Sequence, residues 1–138
     1  MNRLLIFICL VSIFGCKDTD PNPTSLESKW SYTTPDLKMT VTFESVRISD
    51  DVFDIKNQTM TIDGVMANAE KEVVGFTSTT IEKIRINAND SKVVYSYNIE
   101  FKNATISSDF KMISVPFATY TFPWGTSNTL TNIVIERL

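Results

Sequence analysis

Carboxylates, hydroxyls, lysines and aromatic rings are the only side chains left to do chemistry in this chain, because none of its 138 residues is histidine. Imidazole general bases and histidine-ligated metals are therefore excluded. The densest acidic cluster is Asp50, Asp51 and Asp54, with Asp109 in a similar setting later in the chain. Two such carboxylates cleave glycosides when they stand about 5–5.5 Å or about 6.5–9.5 Å apart. An acidic turn also suits a hard cation such as calcium. The segment Asp50-Asp51-Val52-Phe53-Asp54 lacks both the alternating ligands and the closing glutamate of an EF-hand loop. Aspartates at turns ordinarily bond nearby backbone amides. No glycine-rich phosphate loop and no Gly-x-Ser-x-Gly elbow occurs. The residues point away from an enzyme, and no catalytic residue, metal or cofactor is expected.

Aromatic rings offer a different chemistry. In Tyr120-Thr121-Phe122-Pro123-Trp124-Gly125 a strand leads into a turn with Trp124 near its tip, followed by Thr126, Ser127 and Asn128. Folding back over an open end of the core is the readier use of so large an apolar side chain. Left exposed, the indole would stack on a sugar face or anchor a protein partner while neighbouring polar groups bond hydroxyls. That role makes Trp124, Tyr120 and Asn128 the candidate ligand contacts. Trp30 reads as a core plug. Tyr95, Tyr97, Ile99 and Phe101 would line a cavity only if the interior were hollow. A net charge of −3 and a pI near 4.9 argue against a nucleic-acid partner.

The first residues carry an address. Arg3 precedes an apolar run from Leu4 to Phe14, too short to span a membrane, which takes about 20 residues. Ser12-Ile13-Phe14-Gly15-Cys16 closes that run and resembles the lipobox of bacterial lipoproteins. The resemblance implies cleavage after Gly15 and acylation of Cys16, a membrane anchor through lipid. Lys17-Asp18-Thr19-Asp20 is similar to the surface-export signal of Bacteroidota lipoproteins, which implies the outer membrane and its outer face. Cys9 would leave with the signal, so no disulfide is available to the fold. The expected organisation is a signal at 1–15, a polar tether at 16–25 containing Pro21 and Pro23, and one domain at 26–138.

The elements that must position these residues read as strands. Leu37 to Glu44 and Tyr95 to Lys102 alternate apolar and polar without a break. Ile84–Asn87 and Ile133–Glu136 are shorter signals of the same kind, and Asn89-Asp90-Ser91 and Trp124–Asn128 read as turns. Val65 to Val74 holds the residues that best favour helix, with an irregular strand equally open. Val41–Asp51 and Ile99–Asp109 match at an offset of 58 residues, through Phe43/Phe101, Ile48/Ile106, Ser49/Ser107 and Asp51/Asp109. In each copy the apolar parity changes after the phenylalanine, as a β-bulge would require. Either a true repeat or the cheapness of alternation accounts for the match. The expectation is an all-β antiparallel two-sheet β-sandwich of about eight strands, with a small lipocalin-like up-and-down barrel as the alternative. Trp30 before an early strand looks a little like lipocalin-like domains. The functional expectation is a surface lipoprotein whose domain binds a glycan or an envelope protein. A lipocalin-like carrier of a small apolar ligand and a toxin-neutralising lipoprotein are the alternatives. The oligomeric state stays open.

Overall fold

Period-two alternation becomes extended backbone along most of the chain. The computed structural model describes residues 23–36, 38–90 and 95–138. Its strands are β1 (Ser28–Thr33), β2 (Met39–Ser49), β3 (Val52–Ile62), β4 (Val65–Phe76), β5 (Thr80–Asp90), β6 (Tyr95–Ile106), β7 (Met112–Thr121) and β8 (Ser127–Arg137). Each pairs antiparallel with the next, and β1 also pairs with β8, so the order closes into an eight-stranded barrel. The expected sandwich is thereby corrected to the up-and-down barrel. The reason lies in the joins. Hairpin pairing is broad, keeping one register from Thr80↔Thr105 to Asp90↔Tyr95 between β5 and β6 with a lapse only at Glu82 and Asn103. Closure is narrow: β1 meets β8 at Trp30↔Arg137 and Ser31↔Glu136, and β3 meets β4 from Met60↔Ala67 to Ile62↔Val65. The alternation of inward residues is the same in a sandwich and a barrel, so those few pairs decide the architecture.

Val65 to Val74 lies in β4, a strand throughout. Pairing with β5 from Asn68↔Asn89 to Phe76↔Ile81 outweighs the local helix propensity of Ala67, Ala69 and Glu70. Between the tip of the β3–β4 hairpin and an isolated bridge at Val52↔Thr77 the two backbones separate. Side chains span the gap: Lys71 donates to Asp54 and to the Ile55 carbonyl, and the Gln58 amide donates to the Ala69 carbonyl at 3.0 Å.

The inward face changes parity along β6, where the buried residues run Ile99, Phe101, then Ala104. Asn103 at the switch has φ 51°, the left-handed region. Gly75 on β4 and Asn132 on β8 are also left-handed, at 59° and 53°. With Glu82 on β5 and Pro116 on β7 they stand opposite one another across five strands, and ladder pairing lapses at each of them. Because every strand in this row takes its kink at the same level, the register is the same above and below it. β2 behaves differently from the expectation. Ser45 follows Phe43 on the inward face and Ile48 is 62% exposed. Beside Phe43 the extra residue sits on β3, where Thr42↔Thr59 gives way to Glu44↔Lys56 and Asn57 has φ 50°, and β2 takes its own extra residue only later, at Ile48 between Arg47↔Phe53 and Ser49↔Val52. The two similar segments are both strands ending in aspartate turns, but they bend by different means.

Trp30, Phe43, Phe76, Phe101 and eight isoleucines fill the described interior. Outside, Glu72 pairs with Lys83 and Arg85, and Glu100 with Arg85 and Lys102, in a charged stripe across β4, β5 and β6. An apolar interior with a charged exterior is the reverse of a membrane-spanning barrel. At one end of the barrel Leu26 and Trp30 are buried, and the Trp30 Nε1–H donates to Ser45 Oγ at 2.9 Å. The Arg137 guanidinium lies over the Trp30 ring at 6.0 Å and donates to the carbonyls of Ser25 and Phe110. The chain therefore enters at this closed base.

Candidate aromatic site at the barrel mouth

Among the described residues, the opposite end is formed by the turns at 34–36 and 38, at 63–64 and at 122–126. Strand alternation carries Tyr120, Phe122 and Trp124 toward one side of the β7–β8 hairpin. Tyr120 is buried, and its ring meets Phe122 at 4.6 Å and 60°. Phe122 stacks on Trp124 at 4.7 Å and 9°, and Trp124 remains 67% exposed. One indole face is thus fixed by Phe122 while the rest of the side chain meets solvent. The expectation that Trp124 folds back into the core is corrected. Gly125, at φ 86°, makes the turn, and the Gly125 and Phe122 amides donate within it to Phe122 and Thr126 carbonyls. The tryptophan is held outward because Tyr120 and Phe122 already occupy the space beneath it.

The hairpin leans over a cleft of about 90 Å³ that it shares with Lys38, Met39, Ile62, Asp63 and Tyr97. The Asp63 amide donates to the Lys38 carbonyl at 2.7 Å, tying two of the mouth turns together. The Tyr120 hydroxyl donates to Asp36 Oδ2 at 3.4 Å. Burial pushes the Tyr120 phenol above its ordinary pKa, against the Asn128 side chain, which favours the phenolate, and together with the Asp36 charge. Asp36 is held below the ordinary carboxylate range by bonds from the Thr34 hydroxyl at 2.5 Å and the Lys38 amide at 3.2 Å. Burial raises the Tyr32 phenol as well, with Asp36 adding to the shift.

The structure brings Trp124, Tyr120 and Asn128 to the same end of the barrel, Tyr120 and Asn128 being ladder partners. Asn128 is exposed. Tyr97 joins them, half-buried, whereas nothing is described of the Tyr95 side chain. Phe122 was legible as the middle of an every-second-residue aromatic series. Asp36 and Lys38 carried no signal, since Asp36 reaches Tyr120 across 84 residues. Two aspartates of the acidic cluster are engaged by neighbouring groups: Asp51 accepts from the Ser78 amide at 3.1 Å, and Asp54 accepts from the Ile55 amide and from Lys71. Asp109 accepts from Ser107 Oγ at 2.6 Å and from the Lys111 amide at 3.2 Å, which lowers its pKa. Cys16 and the lipobox lie outside the described residues. No family model, curated protein or solved structure matches this chain.

Proposed function

We propose that this chain is a lipid-anchored lipoprotein of the bacterial outer membrane, held through Cys16 and exposed at the cell surface, and that its barrel is a non-catalytic binding module for a glycan. The observation that carries the binding reading is the Trp124 indole, 67% exposed and braced from behind by Phe122 at 4.7 Å. A flat ring held rigid with one face open is suited to the apolar face of a sugar. Asp36, Lys38 and Asn128 supply acceptors and donors for hydroxyls at the same mouth. The orientation supports the reading too. Residues 23–27 pack at the base, with Leu26 buried and the Ser25 carbonyl on Arg137, so an anchor upstream of them leaves Trp124 at the far end. A carrier of a small apolar ligand needs a cavity of about 300 Å³ or more. The described interior is packed with large side chains, and the mouth cleft is about 90 Å³.

Titration of the protein with surface polysaccharides, followed by indole fluorescence, tests the binding. Trp30 is fully buried, so a spectral change on binding reports Trp124. Trp124→Ala should weaken binding about tenfold or more, as loss of a stacking anchor does. Its unfolding free energy should fall by no more than about 1 kcal/mol, as expected for an exposed side chain. If polysaccharides leave the fluorescence unchanged while an envelope protein binds in a Trp124-dependent way, the partner is protein rather than glycan. Cys16→Ser should move the protein from the membrane to the soluble fraction. Unchanged membrane fractionation would remove the anchor.

A further inference from the structure

Where the row of kinks crosses β6, β7 and β8, the outside of the barrel wall holds a groove of about 400 Å³. Its exposed lining is two short rows of side chains, Asn103, Pro116 and Asn132 in one and Thr105, Ser114 and Val134 in the other. Each row runs across the three strands, since Thr105, Ser114 and Val134 are successive ladder partners. Asn103 and Asn132 are left-handed, at φ 51° and 53°, and Pro116 between them has no amide to give the ladder. Pairing resumes on both sides, at Lys102↔Phe117↔Thr131 and at Thr105↔Ser114. The groove therefore offers side chains to a ligand rather than a free strand edge.

Elsewhere on the wall outward polar side chains bond one another, as Thr33 does with Thr40, Thr42 with Thr59, Thr121 with Ser127 and Asn98 with Asn87. Among the described residues no hydrogen bond engages the side chains of Asn103, Asn132, Thr105 or Ser114, which stand exposed around the groove. No ionisable group lines it, and Lys102 beside Asn103 is held by Glu100 at 2.7 Å. Carboxamides and hydroxyls each donate and accept. Pro116 and Val134 set apolar surface among them. The ligand that matches this lining is uncharged, carries hydroxyls that also do both, and has an apolar face. We propose that the groove is a second glycan site, which takes a neutral sugar laid across the strands against Pro116 and Val134 with its hydroxyls on Asn103, Asn132, Thr105 and Ser114. The volume falls in the range of small-molecule clefts, about 300–1,000 Å³. None of these residues lines the Trp124 cleft, so the site shares with the mouth only its class of ligand.

Asparagine is also favoured in left-handed backbone for its conformation alone. Glycine separates the two uses: Asn103→Gly with Asn132→Gly keeps the backbone and removes both carboxamides. The full chain is titrated by calorimetry with dextran, mannan and galactan, and with alginate as an acidic control. Trp124→Ala should still bind a neutral polysaccharide through the groove, and adding the two glycines should weaken that binding at least about tenfold. The groove's share should be the same at low and high salt, because it pairs no charges. Circular dichroism checks folding, and Ser114→Lys, which drives a long charged side chain into the groove, serves if the glycine pair does not fold. Loss of all binding in Trp124→Ala would overturn the groove and leave the mouth standing. Residual binding that the glycines or Ser114→Lys leave untouched would overturn it too. Failure of the unaltered chain to bind any of these polysaccharides would remove both sites.

Discussion

At the scale of single residues, the two tryptophans show how context divides one residue type between opposite uses. Trp30 is fully buried and its indole N–H has Ser45 Oγ as acceptor. Ser45 also accepts from the Ser28 amide at 3.2 Å and donates to the Leu26 carbonyl, so one hydroxyl joins β1, β2 and the incoming chain. Ser45→Ala should therefore destabilise the protein by about 1–3 kcal/mol, because it leaves a buried indole donor unpaired. Urea unfolding measures this, and a loss below about 0.5 kcal/mol would mean that water replaces the hydroxyl. Trp124 is the reverse case, a large apolar ring left outside because Phe122 fills the place beneath it. The types and spacing of Tyr120, Phe122 and Trp124 were legible in the sequence. That the last of the three faces solvent was not, since it depends on the volume already taken by the first two.

At the scale of elements, the row of kinks across β4 to β8 sets the shape of the barrel wall. Gly75 allows it on β4, where φ is 59° and an added Cβ would lie 2.7 Å from Glu82 Cβ. Gly64, at φ 81°, has open space around its missing side chain. Both glycines relieve a left-handed backbone, worth about 1–2 kcal/mol to any other residue. Gly75→Ala adds a collision to that strain, so it should cost at least about 1 kcal/mol more than Gly64→Ala. Equal losses in chemical denaturation would show that Glu82 moves aside freely. The alternation in Tyr95–Lys102 announced β6, and the parity change after Phe101 announced its kink. The same reasoning failed on β2, because a one-residue slip between paired strands can be absorbed by either partner, and here β3 takes it at Asn57.

For the whole molecule, charge links folding to pH through carboxylates. Burial raises the Glu100 pKa, but hydrogen bonds and charge from Lys102 and Arg85 outweigh it, and the carboxyl ends below its ordinary value. Asp36, Asp51, Glu72 and Asp109 are also lowered, chiefly by hydrogen bonds from Thr34, Ser78, Lys83 and Ser107. A lowered carboxyl binds its proton more weakly in the folded chain than in the unfolded one. Its stabilisation is complete above the unfolded value, about 4, and is lost as pH falls through the folded one. The raised phenols of Tyr32 and Tyr120 act at the other limit, where the unfolded chain ionises first as pH climbs past about 10. With no histidine, little changes between. The melting temperature should be nearly flat from about pH 6 to 9 and fall below about pH 4 and above about pH 10. A maximum in the acid range, read by circular dichroism, would contradict this assignment of the carboxylates.

Composition and alternation alone determined that the chain is all-β, that imidazole chemistry is absent, and where the β7–β8 hairpin turns, whereas Asn89 and Asp90, expected in a turn, are paired in β5. Those are local properties, set by which residues suit a half-buried strand and which suit a turn. Closure of the sheet, the alignment of kinks over five strands, and the meeting of Asp36 with Tyr120 were decided only by the tertiary structure. Each depends on pairing between segments far apart in the chain. The inward-facing pattern of every strand is satisfied equally by two facing sheets or by one sheet rolled shut.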